Sequence, residues 1–120
     1  MHESDTPAEA AQRQLDAYNA RDLEAFLAVY APDCTVRAFP SGEVLSEGIE
    51  AMRTRYGTLF ENHPALHCRL QARVEHEVFA IDHEHVDGLR EGEAVHAVAL
   101  YEVREGLIRN VWFMKDDTSV

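Results

Sequence analysis

The sequence predicts an α+β fold in which three N-terminal helices pack on one face of a curved antiparallel sheet. Apolar residues recur with helical spacing up to about residue 63, whereas four long segments after residue 66 have the composition of strands. Helices followed by a run of strands is the order typical of folds that segregate their helices on one side of a sheet. The chain of 120 residues suits a single domain, which we expect to span residues 1–120.

Two helices are predicted near the N-terminus. The stretch Thr6-Pro7-Ala8-Glu9 combines a capping threonine, a proline at the first helical position and a glutamate that completes a capping box. Asp22 is expected to cap the second helix, and Pro32 is expected to end it. The second helix carries an apolar stripe at helical spacing, formed by Leu23, Phe26, Leu27 and Tyr30.

A short strand over residues 34–39 and a brief return strand over 43–45 follow, separated by the turn residues Pro40-Ser41-Gly42. The third helix is predicted from about Gly48 to His63, because the residue before Pro64 disfavours helical geometry. One face of this helix is apolar and aromatic, with Ile49, Met52, Tyr56, Leu59 and Phe60.

Residues 66–75, 77–86, 93–103 and 107–115 are predicted to form four long strands. Asp87-Gly88 and Glu91-Gly92 are turn signals in one connection, and Glu105-Gly106 is the signal in another. The segments AVHAVALYEV and LIRNVWFM are apolar on both faces, which is typical of a sheet covered on both sides. We therefore expect a homodimer that forms through the outer face of the sheet.

Composition excludes several classes of protein. The net charge of −11 disfavours binding to nucleic acid, which depends on clustered basic residues. No apolar run approaches the length of a membrane span, and the first residues lack the pattern of a signal peptide, so we expect a cytoplasmic protein without membrane contact. The sequence contains no G-x-S-x-G, no glycine-rich phosphate loop, no CxxC and no HExxH, and we expect no cofactor. Cys34 and Cys68 are interpreted as buried, reduced thiols.

The segment FAIDHEHVDG at residues 79–88 interleaves two carboxylates with two imidazoles. Because side chains alternate along a strand, Asp82 and Glu84 are expected on one face, and His83 and His85 on the other. Two imidazoles on one face can share a metal ion, with His96 on the next strand as a candidate third ligand. The alternative, which we favour, is that these histidines lie at the dimer interface and that no metal is bound.

Three segments of the chain resemble the nuclear-transport-factor-2-like superfamily, which includes ketosteroid isomerases, SnoaL-type polyketide cyclases and scytalone dehydratase. They are AYNARDLEAFLAVYAPDCTV at 17–36, SEGIEAMRTRY at 46–56 and YEVREGLIRNVWF at 101–113. The resemblance covers nearly the whole chain and is strongest for small bacterial proteins described as steroid isomerase-like or SnoaL-like. It implies a cone-shaped fold whose helices and curved sheet enclose a ligand pocket.

The resemblance also implies that ketosteroid isomerase chemistry is absent. Alignment with that family puts Ala38 at the position of its catalytic aspartate, Gln14 at that of its oxyanion-hole tyrosine and Ala99 at that of its oxyanion-hole aspartic acid. Tyr30 and Tyr56 match tyrosines that line the pocket in the family. These two could anchor a ligand, or they could be core residues whose hydroxyls are satisfied locally.

Alignment of the fourth strand at Asp87-Gly88 implies that Asp82 and Glu84 face the pocket. Burial and mutual repulsion would raise the pKa of such a carboxyl, which suits a general acid or base, and we expect Asp82 to act as the base. The alternative is that one carboxylate pairs with Arg109 or Arg37 and the other lies in water. The expected lining of the pocket is Tyr30, Val36, Ala38, Tyr56, Phe60, Ala97, Ala99, Tyr101, Val111 and Phe113.

These features predict a cone-shaped protein that binds a small apolar molecule, with acid–base chemistry of isomerase, cyclase or lyase type. The alternative is a non-catalytic ligand-binding or dimerisation module.

Overall fold

The computed structural model describes residues 3–115, except the side chain of Lys115, so both ends of the predicted domain, 1–2 and 116–120, lie outside the described residues. The helices are α1 (Pro7–Ala20), α2 (Leu23–Leu27) and α3 (Ile49–Asn62). The strands are β1 (Tyr30–Ala38), β2 (Val44–Glu47), β3 (His67–His76), β4 (Phe79–Arg90), β5 (Glu93–Arg104) and β6 (Leu107–Lys115). The α+β prediction is confirmed.

The helix starts follow the local signals in the sequence. The Thr6 side chain accepts a hydrogen bond from the Glu9 amide, and the Glu9 side chain accepts one from the Thr6 amide, which completes the predicted capping box. Asp22 caps α2 by accepting a hydrogen bond from the amide of Ala25. The third helix ends at Asn62, with His63 as its C-cap, as the following proline predicts.

The six strands form one sheet in the order β2-β1-β6-β5-β4-β3. Four of the five strand pairs are antiparallel, but β1 pairs with β6 in parallel, since the chain crosses over through β2, α3 and the strands that follow. The helices contact the inner face of this sheet, where Phe26, Met52, Leu66 and Ile108 are almost completely buried. Among residues 3–115, no helix has the length and apolar character needed to cross a membrane.

The placement of Tyr30 on the second helix is wrong. Helix α2 ends at Leu27, and Tyr30 begins β1 opposite Ile108 of β6. The Ile108 amide donates a hydrogen bond to the carbonyl of Val29. Because this part of the chain pairs with a strand that is distant in sequence, Tyr30 is extended and not helical. Pro32 does not end a helix; it lies in an irregular part of β1, where its missing N–H is tolerated.

The turn expected at Asp87-Gly88 is also wrong, because β4 continues to Arg90 and the chain reverses at Glu91-Gly92. Gly88 has φ +87° and lies at an irregularity in the pairing of β4 with β5. A Cβ atom there would lie 2.3 Å from the carbonyl oxygen of Ala65. The glycine therefore permits a close backbone approach inside a bent strand.

Candidate functional site

A cavity of about 190 Å³ lies between the helices and the inner face of the sheet. Its wall is mostly apolar and aromatic. The apolar and aromatic part consists of Leu15, Tyr18, Phe26, Tyr30, Leu45, Tyr56, Leu59, Val86, Leu89, Val95, Ala97, Tyr101 and Phe113. The remaining wall residues are Gln14, Arg55, Cys68 and Glu84. A mainly apolar hollow with a few polar groups is the usual character of a small-molecule site.

Glu84 lies on the inner face of β4, directly opposite Ala97 of β5, and only 5% of it is exposed. Burial raises the pKa of its carboxyl to about 7, and the charge of Asp82 contributes to the rise. The Cys68 thiol donates a hydrogen bond to Glu84 and, like the charge of Arg73, opposes the shift. Glu84 therefore exists in both protonation states near neutral pH, which is the condition for exchanging protons with a ligand.

Asp82 shares the buried face with Glu84, but it is not on the wall of the cavity. Arg73 of β3 donates from Nε to Oδ1 at 2.7 Å and from Nη2 to Oδ2 at 2.9 Å, so both carboxylate oxygens are occupied. The expected pairing of one of these carboxylates with Arg109 or Arg37 is wrong. Arg109 pairs with Glu105, and Arg37 donates a hydrogen bond to the side chain of Asn110. Because Asp82 is paired with Arg73 and does not line the cavity, we do not assign it the role of base.

Tyrosine hydroxyls supply neutral hydrogen-bonding groups around Glu84. The Tyr30 hydroxyl donates to Oε1 of Gln14 at 3.0 Å, and the Gln14 amide donates to the carbonyl of Ala11. Burial raises the pKa of Tyr30 and Tyr101 well above the usual value. Burial also raises the pKa of Tyr56, although Arg55 opposes this rise. These hydroxyls stay protonated at neutral pH and can donate to a ligand oxygen.

Both interpretations of the tyrosines hold in part. Tyr30 is satisfied locally by Gln14, yet its ring belongs to the cavity wall together with Tyr56. Phe26 packs between them, with ring centroids 4.9 Å from Tyr30 and 4.8 Å from Tyr56. The two residues therefore shape the hollow and also belong to the hydrophobic core.

Half of the expected lining reaches the cavity, namely Tyr30, Tyr56, Ala97, Tyr101 and Phe113. The other five do not line it: Val36, Ala38, Phe60, Ala99 and Val111. Val36, Ala99 and Val111 are packed into the core, and Phe60 turns its ring against Tyr18 and Phe26, at 5.5 and 5.7 Å between centroids. Strand alternation identifies the inner face, but not how far the helices cover each position.

The sequence prediction missed eleven of the wall residues, and four of these carry polar atoms: Gln14, Tyr18, Arg55 and Cys68. Helical spacing marks Tyr18 as inward-facing, since it continues the stripe of Ala11 and Leu15. For Gln14 the signal was the alignment with ketosteroid isomerases, which puts it at the position of a pocket tyrosine, and Gln14 does line the cavity. Burial raises the pKa of the Cys68 thiol, and Glu84 raises it further, so Cys68 is a hydrogen-bond donor and not a nucleophile at neutral pH.

The histidines lie on the outer face, as strand alternation predicts. His85 is opposite His96, and the two rings are stacked with centroids 4.1 Å apart, while His83 contacts the edge of His85 at 5.4 Å. Stacked rings present their faces to each other, whereas metal ligands must direct nitrogens at one point. Within residues 3–115 no three His, Cys, Asp or Glu side chains are grouped so as to hold a metal ion.

Comparison with known proteins agrees with this architecture. Residues 11–111 match the model of the SnoaL-like domain. No match was found among curated proteins. An uncharacterised cystatin-fold protein from Novosphingobium aromaticivorans superposes with a TM-score of 0.81 at 25% identity, covering 91% of this chain and 97% of the other.

Two further solved structures share the fold at lower identity. A nuclear-transport-factor-2-like protein of unknown function from Cytophaga hutchinsonii has a TM-score of 0.76 at 17% identity, covering 95% of this chain and 93% of the other. A proposed polyketide cyclase from Sinorhizobium meliloti has a TM-score of 0.76 at 18% identity, covering 95% of this chain and 100% of the other.

Proposed function

Because this chain belongs to the SnoaL-like domain family, within the nuclear-transport-factor-2-like superfamily, we propose that it binds a small, largely apolar molecule in its cavity and acts on it by acid–base chemistry. Glu84 is the proposed catalytic group. The reaction is of isomerase, cyclase or lyase type, in which a proton is removed next to a carbonyl group and returned elsewhere. Such a reaction needs no cofactor.

The observation that carries this proposal is the state of Glu84. It is a carboxyl in the wall of an apolar cavity, with a pKa of about 7, and no arginine is bonded to it among the described residues. As a carboxylate it can accept a proton from a carbon acid, and as a carboxylic acid it can return one. The protonated hydroxyls of Tyr56 and Tyr101 line the same cavity and can donate to the substrate oxygen on which negative charge develops.

The proposal is tested by proton exchange, which does not require the natural substrate. The protein is incubated in deuterium oxide with a panel of small apolar ketones, and incorporation of deuterium next to the carbonyl is followed by NMR. We expect exchange that rises with pH through about 7, as Glu84 ionises. Glu84→Gln should lower the rate by about a hundredfold or more.

Glu61→Gln is the matched control, because Glu61 is an exposed glutamate on α3 that does not line the cavity. Equal exchange rates in wild type and Glu84→Gln would refute the acid–base role.

The second candidate function is a non-catalytic ligand-binding module. Two features favour it: Asp82 is held in an ion pair with Arg73, and Glu84 is the one carboxyl on the cavity wall among residues 3–115. Ketones that raise the melting temperature of the protein without any deuterium exchange would support this candidate.

We also propose that two copies associate through the outer face of the sheet. Several large apolar side chains there are only partly covered: Ile81, Val98, Leu100, Trp112 and Met114. Ile81 is opposite Leu100, which is opposite Trp112, so these residues form a row across three strands. An apolar row of this kind on a sheet face gains free energy when a second copy covers it.

A further inference from the structure

Arg55 is the one cationic side chain on the cavity wall among the residues that the structure describes. Its side chain is exposed, whereas Glu84 is buried, so the wall carries a positive group at its solvent-facing end and a carboxyl further inside. A cation at this position contrasts with the protein as a whole, whose net charge is −11.

No carboxylate neutralises Arg55 among the described residues. On the same helix, Arg53 pairs with Glu24 and also with Glu50 at 3.4 Å. The helix neighbours of Arg55 at spacings of three and four residues are Ala51, Met52, Thr58 and Leu59, and none of them is acidic. The guanidinium of Arg55 hydrogen-bonds to the side chain of Tyr56 but has no carboxylate partner among these residues, so N–H groups are left for another acceptor.

Tyr56 restricts where this guanidinium lies. The central carbon of the Arg55 guanidinium is 6.0 Å from the centroid of the Tyr56 ring, within the range of a cation–π contact. Tyr56 is itself part of the cavity wall, and only 7% of it is exposed. The contact therefore places the cation beside a residue of the cavity wall.

We propose that Arg55 binds an anionic head group of the ligand, and that the ligands of this cavity are small apolar carboxylates whose hydrocarbon part lies against the inner wall. This inference rests on the proposed ligand cavity and names its substrate class. One planar guanidinium matches one carboxylate through two parallel hydrogen bonds. A phosphate dianion is disfavoured, because a single cation would have to offset two charges in a strongly acidic protein.

The test compares phenylacetate with its neutral amide, phenylacetamide, by isothermal titration calorimetry at low ionic strength. At a pH of about 6 the acid is ionised and Glu84 is mostly protonated, so Glu84 adds little repulsion. We expect wild type to bind phenylacetate about fivefold or more tightly than the amide. Arg55→Gln should bind the two equally, and its retained affinity for the amide shows that the cavity is intact.

Arg53→Gln is the matched control, because it removes a cation from the same helix without touching the cavity wall, and it should keep the preference for phenylacetate. Equal binding of the two probes by wild type, or a preference that survives Arg55→Gln, would overturn the head-group assignment and leave the cavity proposal standing. Loss of both probes in Arg55→Gln would mean that Arg55 shapes the cavity, which also overturns the assignment. If wild type binds neither probe, the head-group assignment also fails, and the exchange experiment with ketones decides the cavity proposal separately.

Discussion

Arg73 holds Asp82 by two parallel hydrogen bonds of 2.7 and 2.9 Å, in an ion pair whose carboxylate is completely buried. Arg73 also donates to the carbonyl of Ala8 and to Oε1 of Gln12, so the pair connects β3 and β4 to the first helix. Because Arg73 binds Asp82 and not Glu84, these two neighbouring carboxyls have different roles. Asp82 is a structural anion, while Glu84 is left facing the cavity with a raised pKa.

Arg73→Met should destabilise the protein by about 3–5 kcal/mol, because it leaves the Asp82 charge buried without a partner. The double variant Arg73→Met/Asp82→Leu removes both charges and should recover most of that loss. Urea unfolding followed by circular dichroism measures both values. A decrease in unfolding free energy below about 1 kcal/mol in Arg73→Met is typical of an exposed ion pair. It would contradict the conclusion that Arg73 compensates a buried charge on Asp82.

Glu84 should make stability depend on pH between about 4.5, its ordinary value, and about 7. The folded state holds this proton more tightly than the unfolded state, so the contribution is present at low pH and is lost as pH rises through that window. The shift corresponds to roughly 3 kcal/mol. Glu84→Gln lacks it, and its stability relative to wild type should rise over the same window. Parallel curves of unfolding free energy against pH for the two proteins would refute this.

Gly88→Ala should destabilise the protein by about 1–3 kcal/mol, since the new Cβ meets the Ala65 carbonyl at 2.3 Å and φ is +87°. Gly92→Ala is the control, because φ there is +75° but no atom lies within 4 Å of the new Cβ. Thermal unfolding of the two variants separates the close approach from the backbone preference. Equal losses would show that the contact with Ala65 contributes nothing.

Leu100→Glu should convert the proposed dimer to monomers, because it puts a charge in the middle of the apolar row on the outer face. Thr58→Glu introduces the same charge at an exposed position on α3 and should leave association unchanged. Sedimentation velocity of the two variants and wild type measures the difference. A monomeric wild type would refute the dimer.

Acid should weaken the same dimer. Partial desolvation lowers the pKa of His85, and His96, Arg69 and His83 lower it further, while Asp87 opposes them. His85 is therefore neutral at neutral pH, and its protonation puts a positive charge into the proposed interface. The dimer fraction in sedimentation should fall between about pH 8 and about pH 5.5. No change over that range, or the same fall in His85→Gln, would contradict a role for the histidines.

Most of the fold could be predicted because its signals are local. A capping threonine with its glutamate, an aspartate cap, a His-Pro stop and a Glu-Gly reversal each depend on residues within one or two turns of chain. Tyr30 was misplaced because its conformation depends on pairing with Ile108, which lies far along the sequence. Gly88 was misread because a left-handed glycine suits a turn and a bulge equally, and only Ala65 distinguishes them.

Strand alternation was enough to put Asp82 and Glu84 on one face of a strand and the histidines on the other, because side chains alternate along an extended backbone. It could not distinguish the two carboxylates. The folded chain shows that Arg73 binds Asp82 and that the cavity reaches Glu84. The reason is physical: alternation is a property of the local backbone, whereas desolvation and ion pairing depend on which distant groups the fold brings near.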